Sequence, residues 1–449
     1  MASSNSDLDI FLILPHQLFE TKHLNKFKKC RFILWEHPHY FKKYKYNKKR
    51  LLLHHGSMQY YYDYLKSKKY KVDYVALNES IKFDGKKYYI FDPIDKIKLP
   101  GKPKIIESPN FLLKKEDYEK YRKKTKKFTF YYFYQWGKKL INIIPNVKSK
   151  DKQNRKSLPS DIKIPKIPSN NSDKKYISKG KTFVDKNFKG NYGKTKDFMF
   201  PLTHSTAKKW LNDFIKKKFN KFGDYQDAID KNNEFLFHSM LSSSINIGLL
   251  NPLDIIDKIK KYKSKIPINS YEGYIRQLFW REYQRYCYIY INFNNKNYFG
   301  NKKKLTEKWY NGTTKIKPLD DSIKSAFNNG YLHHIERLMI VGNFMNLSGI
   351  SPKEGFKWFM EFACDSYEWV MHQNVLDMVF FVNGDSDEQT MRKPYISSSN
   401  YILKMSNYSK GEWCDVWDKL YYDFLKKHKK KLWKFRYYFP GLKSRSNKK

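Results

Sequence analysis

Acidic residues are scarce in this chain. Asp and Glu total 44 against 89 Lys and Arg, a formal net charge of +45 over 449 residues. So one-sided a charge favours a polyanionic partner, nucleic acid first and an anionic membrane surface second. Coding bias toward Lys, Asn, Ile and Tyr is the competing account of the lysines, yet such bias usually brings Glu with it. Cysteine is rare too. Cys30, Cys287, Cys364 and Cys414 are scattered, and no C-x-x-C occurs. This argues against a disulfide framework and against a cysteine metal site, and fits a reducing compartment, cytosol or nucleus. Long hydrophobic runs are missing: none approaches the roughly 20 residues that span a bilayer. The start, MASSNSDLDIFLIL, lacks the basic stretch of a secretory signal. The reading is a cytoplasmic or nuclear protein with no membrane segment and no metal.

Hydrophobic residues make up 40% and aromatics 18%, enough for two or three domains with cores. In the first third, DIFLILP, CRFILWE and YKVDYVAL read as strands and GSMQYYYDYLKSKK as a helix. That rhythm implies a parallel, Rossmann-like α/β domain over 1–140, with any ligand at the carboxyl ends of the strands, where Glu36 falls. From 148 to 181 the chain is rich in Lys, Ser, Pro and Asn, a linker or mobile loop within a basic interdomain segment at 141–190. An all-α domain follows over 191–432, with helices expected at 205–220, 224–230, 233–246, 252–262, 270–292, 320–328, 331–348, 352–365, 398–406 and 412–430. The basic aromatic tail, 433–449, reads either as a solvated end or as a phosphate contact.

Three stretches carry chemistry. GYLHHIERLMIVGNF (330–344) has the apolar face of a buried helix, yet also His333, His334, Glu336 and Arg337, which need partners if buried. In NSYEGYIRQLFWREYQRY (269–286), Gln277 and Trp280 share a helix face, with Arg281 and Glu282 adjacent. An amide beside an indole suits a flat polar ring, although a structural Trp with a solvated Gln reads equally well. In LFHSMLSSSINIGLL (236–250), Ser239 and Ser242 suit a phosphate or serve as helix caps.

Taken in order, FPLTHSTAKKWLNDF, FGDYQDAID, LFHSMLSSSINIGLLNP, NSYEGYIRQLFWREY, YLHHIERLMIVGNF, DSYEWV and KPYISSSNYILKMSNY resemble the prokaryotic (6-4) photolyases, the iron–sulfur group of the photolyase/cryptochrome superfamily. ILPHQLF and KRLLLHHGSMQYYYDYL match that group's N-terminal domain, and the resemblance runs from about residue 9 to 430. It implies an N-terminal antenna domain and a helical domain holding FAD. It also implies a monomer that repairs UV-damaged DNA by light-driven electron transfer to a flipped-out pyrimidine dimer.

Residue by residue, the resemblance places Arg337 and Asp365 as an ion pair beside the flavin. Tyr225, His238, Ser239, Leu241 and Ser242 fall where the FAD phosphates and ribose are held, and Arg281, Asn343, Met371 and Tyr401 elsewhere around the cofactor. It assigns His334 to repair, with His333 in support and Gln277, Trp280, Met378 and Tyr395 around the lesion. An imidazole is apt where a hydroxyl must move between bases. Asp185 and Lys189 match an acidic–basic pair approaching DNA, although Lys189 replaces an arginine and loses its fork. Trp358 matches the flavin-proximal tryptophan of the electron route. Phe359 replaces a tyrosine and Tyr310 an outer tryptophan, leaving Trp309, Trp369 and Trp280 as substitutes. Glu36 matches a contact of an antenna chromophore such as 6,7-dimethyl-8-ribityllumazine, whereas His16 stands for an acidic residue of that site.

Two departures stand out. Met371 replaces a glutamate, which weighs toward relatives that act on cyclobutane dimers; Gln277, Trp280 and His334 weigh toward the (6-4) photoproduct. The four cluster cysteines align with Pro318, Ser409, Glu412 and the neighbourhood of Asp415 and Cys414, so no iron–sulfur cluster is expected. A cryptochrome-like photoreceptor is the alternative of a different class.

Overall fold

The computed structural model describes residues 8–81, 83 and 87–442. Five strands, β1 (Ile10–Ile13), β2 (Arg31–Trp35), β3 (Val72–Val75), β4 (Tyr88–Phe91) and β5 (Lys104–Ile106), pair in parallel in the order β3-β2-β1-β4-β5. Ile10 lies opposite both Arg31 and Tyr88. Successive β1 residues point to opposite faces, yet all are buried, so both faces of the sheet centre are covered. Strand order reverses between β1 and β4, which sets a crevice at their carboxyl ends. The last two strands escape a sequence reading because YYIF and KII are short, and KII is mostly exposed.

The helix expected from Gly56 begins at Lys48, because the Asn47 side chain accepts from the Lys49 N–H and caps it. Across it lies the Lys174–Asn187 helix, inside the segment expected to be a linker. Two glycines allow the approach: a Cβ on Gly56 would sit 3.0 Å from the Tyr176 carbonyl, and one on Gly180 2.9 Å from Leu52 Cγ. The 174–187 part of that stretch is therefore packed helix, not loop.

The long Ile268–Tyr290 helix carries unusual charge for a buried element. Its Glu282 carboxylate is wholly buried and accepts from the Leu112 and Leu113 N–H groups and the Tyr118 hydroxyl, at 3.0, 3.1 and 2.8 Å. Those bonds fasten the loop after β5 to the helical part. Arg50 does the same from the other side: fully buried against Tyr46, it donates to the Tyr40 and Ser366 carbonyls. In the tail, Phe435, Phe439 and Leu442 are buried while Trp433, Tyr437 and Tyr438 stay exposed, so it packs on one side as far as residue 442. Residues 443–449 lie outside the described residues. Among the described residues, no helix is long and apolar enough to cross a membrane.

Candidate active site

The helical part encloses a cavity of about 370 Å³. One wall is a stripe of the Ile268–Tyr290 helix, Tyr274, Gln277, Trp280 and Gln284, at helical spacing. Trp280 already has one face covered by Phe130, with centroids 3.7 Å apart and planes 12° off parallel. Only the other face is open to a ligand ring.

A second wall is built from irregular backbone. The helices expected at 224–230 and 233–246 do not form; only Ser242–Asn246 is helical there. Leu236 and Met240 take left-handed φ of +38° and +54°, a costly conformation for side-chain-bearing residues. The turns present His238, Ser239, Leu241 and Ser242 to the cavity.

The third wall is the 330–344 segment. Gly330, at φ +64°, ends the Lys317–Asn329 helix. The chain then has no regular secondary structure through 331–333, enters helix at His334 and widens into π-helical turns over Glu336–Gly342 instead of forming a regular helix from 331. The charged groups of this stretch find partners. Arg337 makes a two-pronged bond to Asp365, Nη1 to Oδ1 at 3.1 Å and Nη2 to Oδ2 at 3.2 Å, while its Nε donates to the Leu332 carbonyl. Ser242 donates to Asp365 Oδ2 at 2.8 Å. His334 is half-exposed, its Nε2 3.2 Å from Asp227 Oδ1. His333 is buried, its Nε2 3.4 Å from Glu336 Oε2 and its ring 4.8 Å from that of His238. Burial pushes Glu336 up to about 8 and holds His333 and His238 well below the ordinary imidazole value. The Glu336–His333 contact at neutral pH therefore joins two uncharged groups. Met371, Met378 and Tyr395 complete the lining.

Four expected cofactor residues do not line this cavity. Arg281 is a structural clamp: it donates to Asn246 Oδ1 at 2.9 Å and to the Asn110 carbonyl at 2.6 Å, and packs over Phe111 and Trp369. Asn343 is spent on Ser397, donating to its Oγ at 3.0 Å and accepting from its N–H at 3.2 Å. Tyr225 packs on Phe237, and Tyr401 stands outside the lining.

Of the residues expected to carry electrons, Trp358 lies one ring behind the cavity, 5.2 Å between centroids from Phe359, which lines it. Rings continue through Phe327 (5.6 Å), Tyr310 (5.6 Å) and Tyr192 (4.6 Å). Trp309 accepts at its carbonyl from the Trp358 indole, and Trp369 packs on Phe111; neither lines the cavity.

Asp185 sits on the Lys174–Asn187 helix and accepts from the Thr195 hydroxyl; neither it nor Lys189 lines the cavity. Glu36, expected to touch an antenna chromophore, is wholly buried. It accepts from His55 Nδ1 at 2.6 Å, the Tyr74 hydroxyl at 2.8 Å and the Leu77 N–H at 3.0 Å, and so ties β2 to its neighbours. Cys414 is buried beside Trp413 and Trp417, and among the described residues the cysteines join no group of potential metal ligands.

Several lining residues went unread in the sequence. Asp227 holds His334. Asp151 and Arg155 come from the supposed linker; Arg155 bridges toward Asp227 at 3.7 Å and Arg276 to Asp151 at 3.0 Å. Nothing in the lysine-rich composition of 148–181 distinguishes these two. Asp227 lies two residues after Tyr225 in FGDYQDAID.

A profile described as deoxyribodipyrimidine photo-lyase-related protein matches residues 11–90 and 93–200. A (6-4) photolyase of Agrobacterium fabrum is 33% identical over 351 residues, 73% of this chain and 68% of that protein. Two solved structures share the fold. A bacterial class III photolyase from Agrobacterium tumefaciens has a TM-score of 0.59 at 14% identity, covering 90% of this chain and 88% of the other. A Synechocystis cryptochrome has a TM-score of 0.54 at 13% identity, covering 94% and 93%. The two-part architecture is thus the photolyase fold, an α/β domain joined to a helical one. The chain belongs to the photolyase/cryptochrome superfamily.

Proposed function

We propose that this protein is a DNA photolyase acting on UV pyrimidine dimers, with the (6-4) photoproduct favoured over the cyclobutane dimer, and that it works as a monomer holding FAD. The observation that carries the reading is the convergence on one cavity of Arg337–Asp365, Gln277, Trp280, His334, Met378 and Tyr395. The (6-4) photolyase named among its relatives points the same way.

The lining fits a flavin. Arg337 and Asp365 retain partial exposure, 17% and 13% of their side chains, so a fixed ion pair is presented to the cavity rather than sealed away. Ser239 and Ser242 offer hydroxyls beside it. FAD, when bound in reduced form, supplies the light-excited electron.

The chain's own residues do the rest. Trp280 offers one ring face and Gln277 an amide to an extruded base. His334 holds a proton at the mouth, and Asp227 fixes its ring through Nε2. Arg155, its side chain exposed, sets positive charge at the rim for the phosphate backbone. The test is repair of defined lesions in oligonucleotides under blue light after chemical reduction. Conversion of the (6-4) product sustains the full reading, conversion of cyclobutane dimers alone reassigns the lesion, and conversion of neither leaves a photoreceptor.

A further inference from the structure

Three imidazoles from two walls of the cavity meet in space: His238, His333 and His334 each bring one ring nitrogen to within 4.8 Å of the others. Two of them, His238 Nε2 and His333 Nδ1, are buried atoms with no hydrogen-bond partner. An imidazole nitrogen left so is costly unless something meets it. The other two contacts of the group are acidic: Asp227 Oδ1 stands 3.2 Å from His334 Nε2, and Glu336 Oε2 3.4 Å from His333 Nε2. A carboxylate on the far nitrogen is what orients histidine ligands around a metal, and Asp227 supplies one to His334.

We propose that His238, His333 and His334 form a site for a borderline divalent transition metal ion, zinc by its preference for three imidazoles, with a fourth position open to the cavity. Three nitrogens suit zinc, whereas calcium and magnesium demand oxygen. The 4.8 Å spread exceeds that of a closed tetrahedral site, so binding draws the rings together, and the half-exposed His334 is the one free to move. No sequence motif announces this site, because the ligands are split between a strained turn and the start of the third wall. A nitrogen lone pair given to metal cannot take a proton, so an occupied site silences His334. That consequence rests on the repair reading; metal binding does not.

The test is equilibrium zinc binding to the purified full chain in the dark, by competition with a chromophoric chelator, with cobalt as spectroscopic probe. The expected result is stoichiometric zinc, a tetrahedral cobalt spectrum, and X-ray absorption fitting three imidazole nitrogens. His334→Gln should weaken binding by about 100-fold or more and Asp227→Asn by about tenfold, with His372→Gln without effect. Zinc that binds only weakly, or equally in His334→Gln, overturns the proposal, as does an absorption spectrum with fewer than three imidazoles. The X-ray measurement uses the unmodified chain, so it decides even if a variant fails to fold.

Discussion

Glu36 and Asp365 are both carboxylates in folds that bind ligands, and the fold treats them oppositely. Glu36, at the carboxyl edge of the sheet, takes three donors from within the chain and is closed to solvent. Asp365 takes Arg337 and Ser242 and still opens onto a cavity. Around Glu36 the chain has met its own electrostatic demand. Around Asp365 the demand is met only in part, and unpartnered imidazole nitrogens lie nearby. A charge satisfied inward serves the scaffold; one left half-open serves a ligand. That contrast moves the weight of function from the sheet edge to the helical cavity.

The contrast can be broken at either end. The largest effect is expected at His334: His334→Asn should lower the rate of (6-4) repair by about 100- to 10,000-fold, while changing stability by less than about 0.5 kcal/mol, as for exposed residues generally. Single-turnover repair and urea unfolding measure the two.

Acid should unfold the protein through its buried neutral histidines, away from either carboxylate. Burial lowers His204 and His372 to about 4. Once unfolded, each takes a proton below its ordinary value of 6.5 while the folded form does not, so stability is lost as pH falls from 6.5 toward 4. By linkage this is on the order of 3 kcal/mol per imidazole. Urea midpoints between pH 7 and 4.5 should decline, and His372→Gln should flatten the decline.

Asp365→Ala leaves the Arg337 guanidinium unpaired and should cost on the order of 3 kcal/mol, together with loss of bound flavin. Glu36→Gln should cost about 2 kcal/mol by weakening three bonds and should leave flavin content unchanged. The smallest effect is expected for Arg155→Ala: DNA affinity should drop a few-fold, and the slope of log affinity against log salt should fall by about one, as read by fluorescence anisotropy.

The scaffold was the more legible half. The runs DIFLILP and CRFILWE became β1 and β2, because buried parallel strands read as continuous apolar runs, and YKVDYVAL became the half-buried edge strand β3. The helical stripe Gln277–Trp280 was likewise visible from spacing alone. The other two cavity walls were not. Residues 224–241 look helical by composition, yet left-handed turns at Leu236 and Met240 override the propensity. His333 and His334 look like part of a regular helix from 331, but the chain has no regular structure through His333 and turns π-helical from Glu336. The resemblance places Arg281 and Asn343 around the cofactor, and their side chains hydrogen-bond to Asn246, Asn110 and Ser397 outside the cavity lining. Asp151 and Arg155 were hidden in a lysine-rich stretch that composition marks as linker.

The most direct measurement is the flavin content of three purified proteins, the natural chain, Asp365→Ala and Glu36→Gln, by release and chromatography after reconstitution with excess FAD. Stoichiometric flavin is expected in the natural chain and in Glu36→Gln, with little in Asp365→Ala. A natural chain that takes up no flavin, or an Asp365→Ala variant that retains all of it, would contradict the placement of the cofactor in the helical cavity.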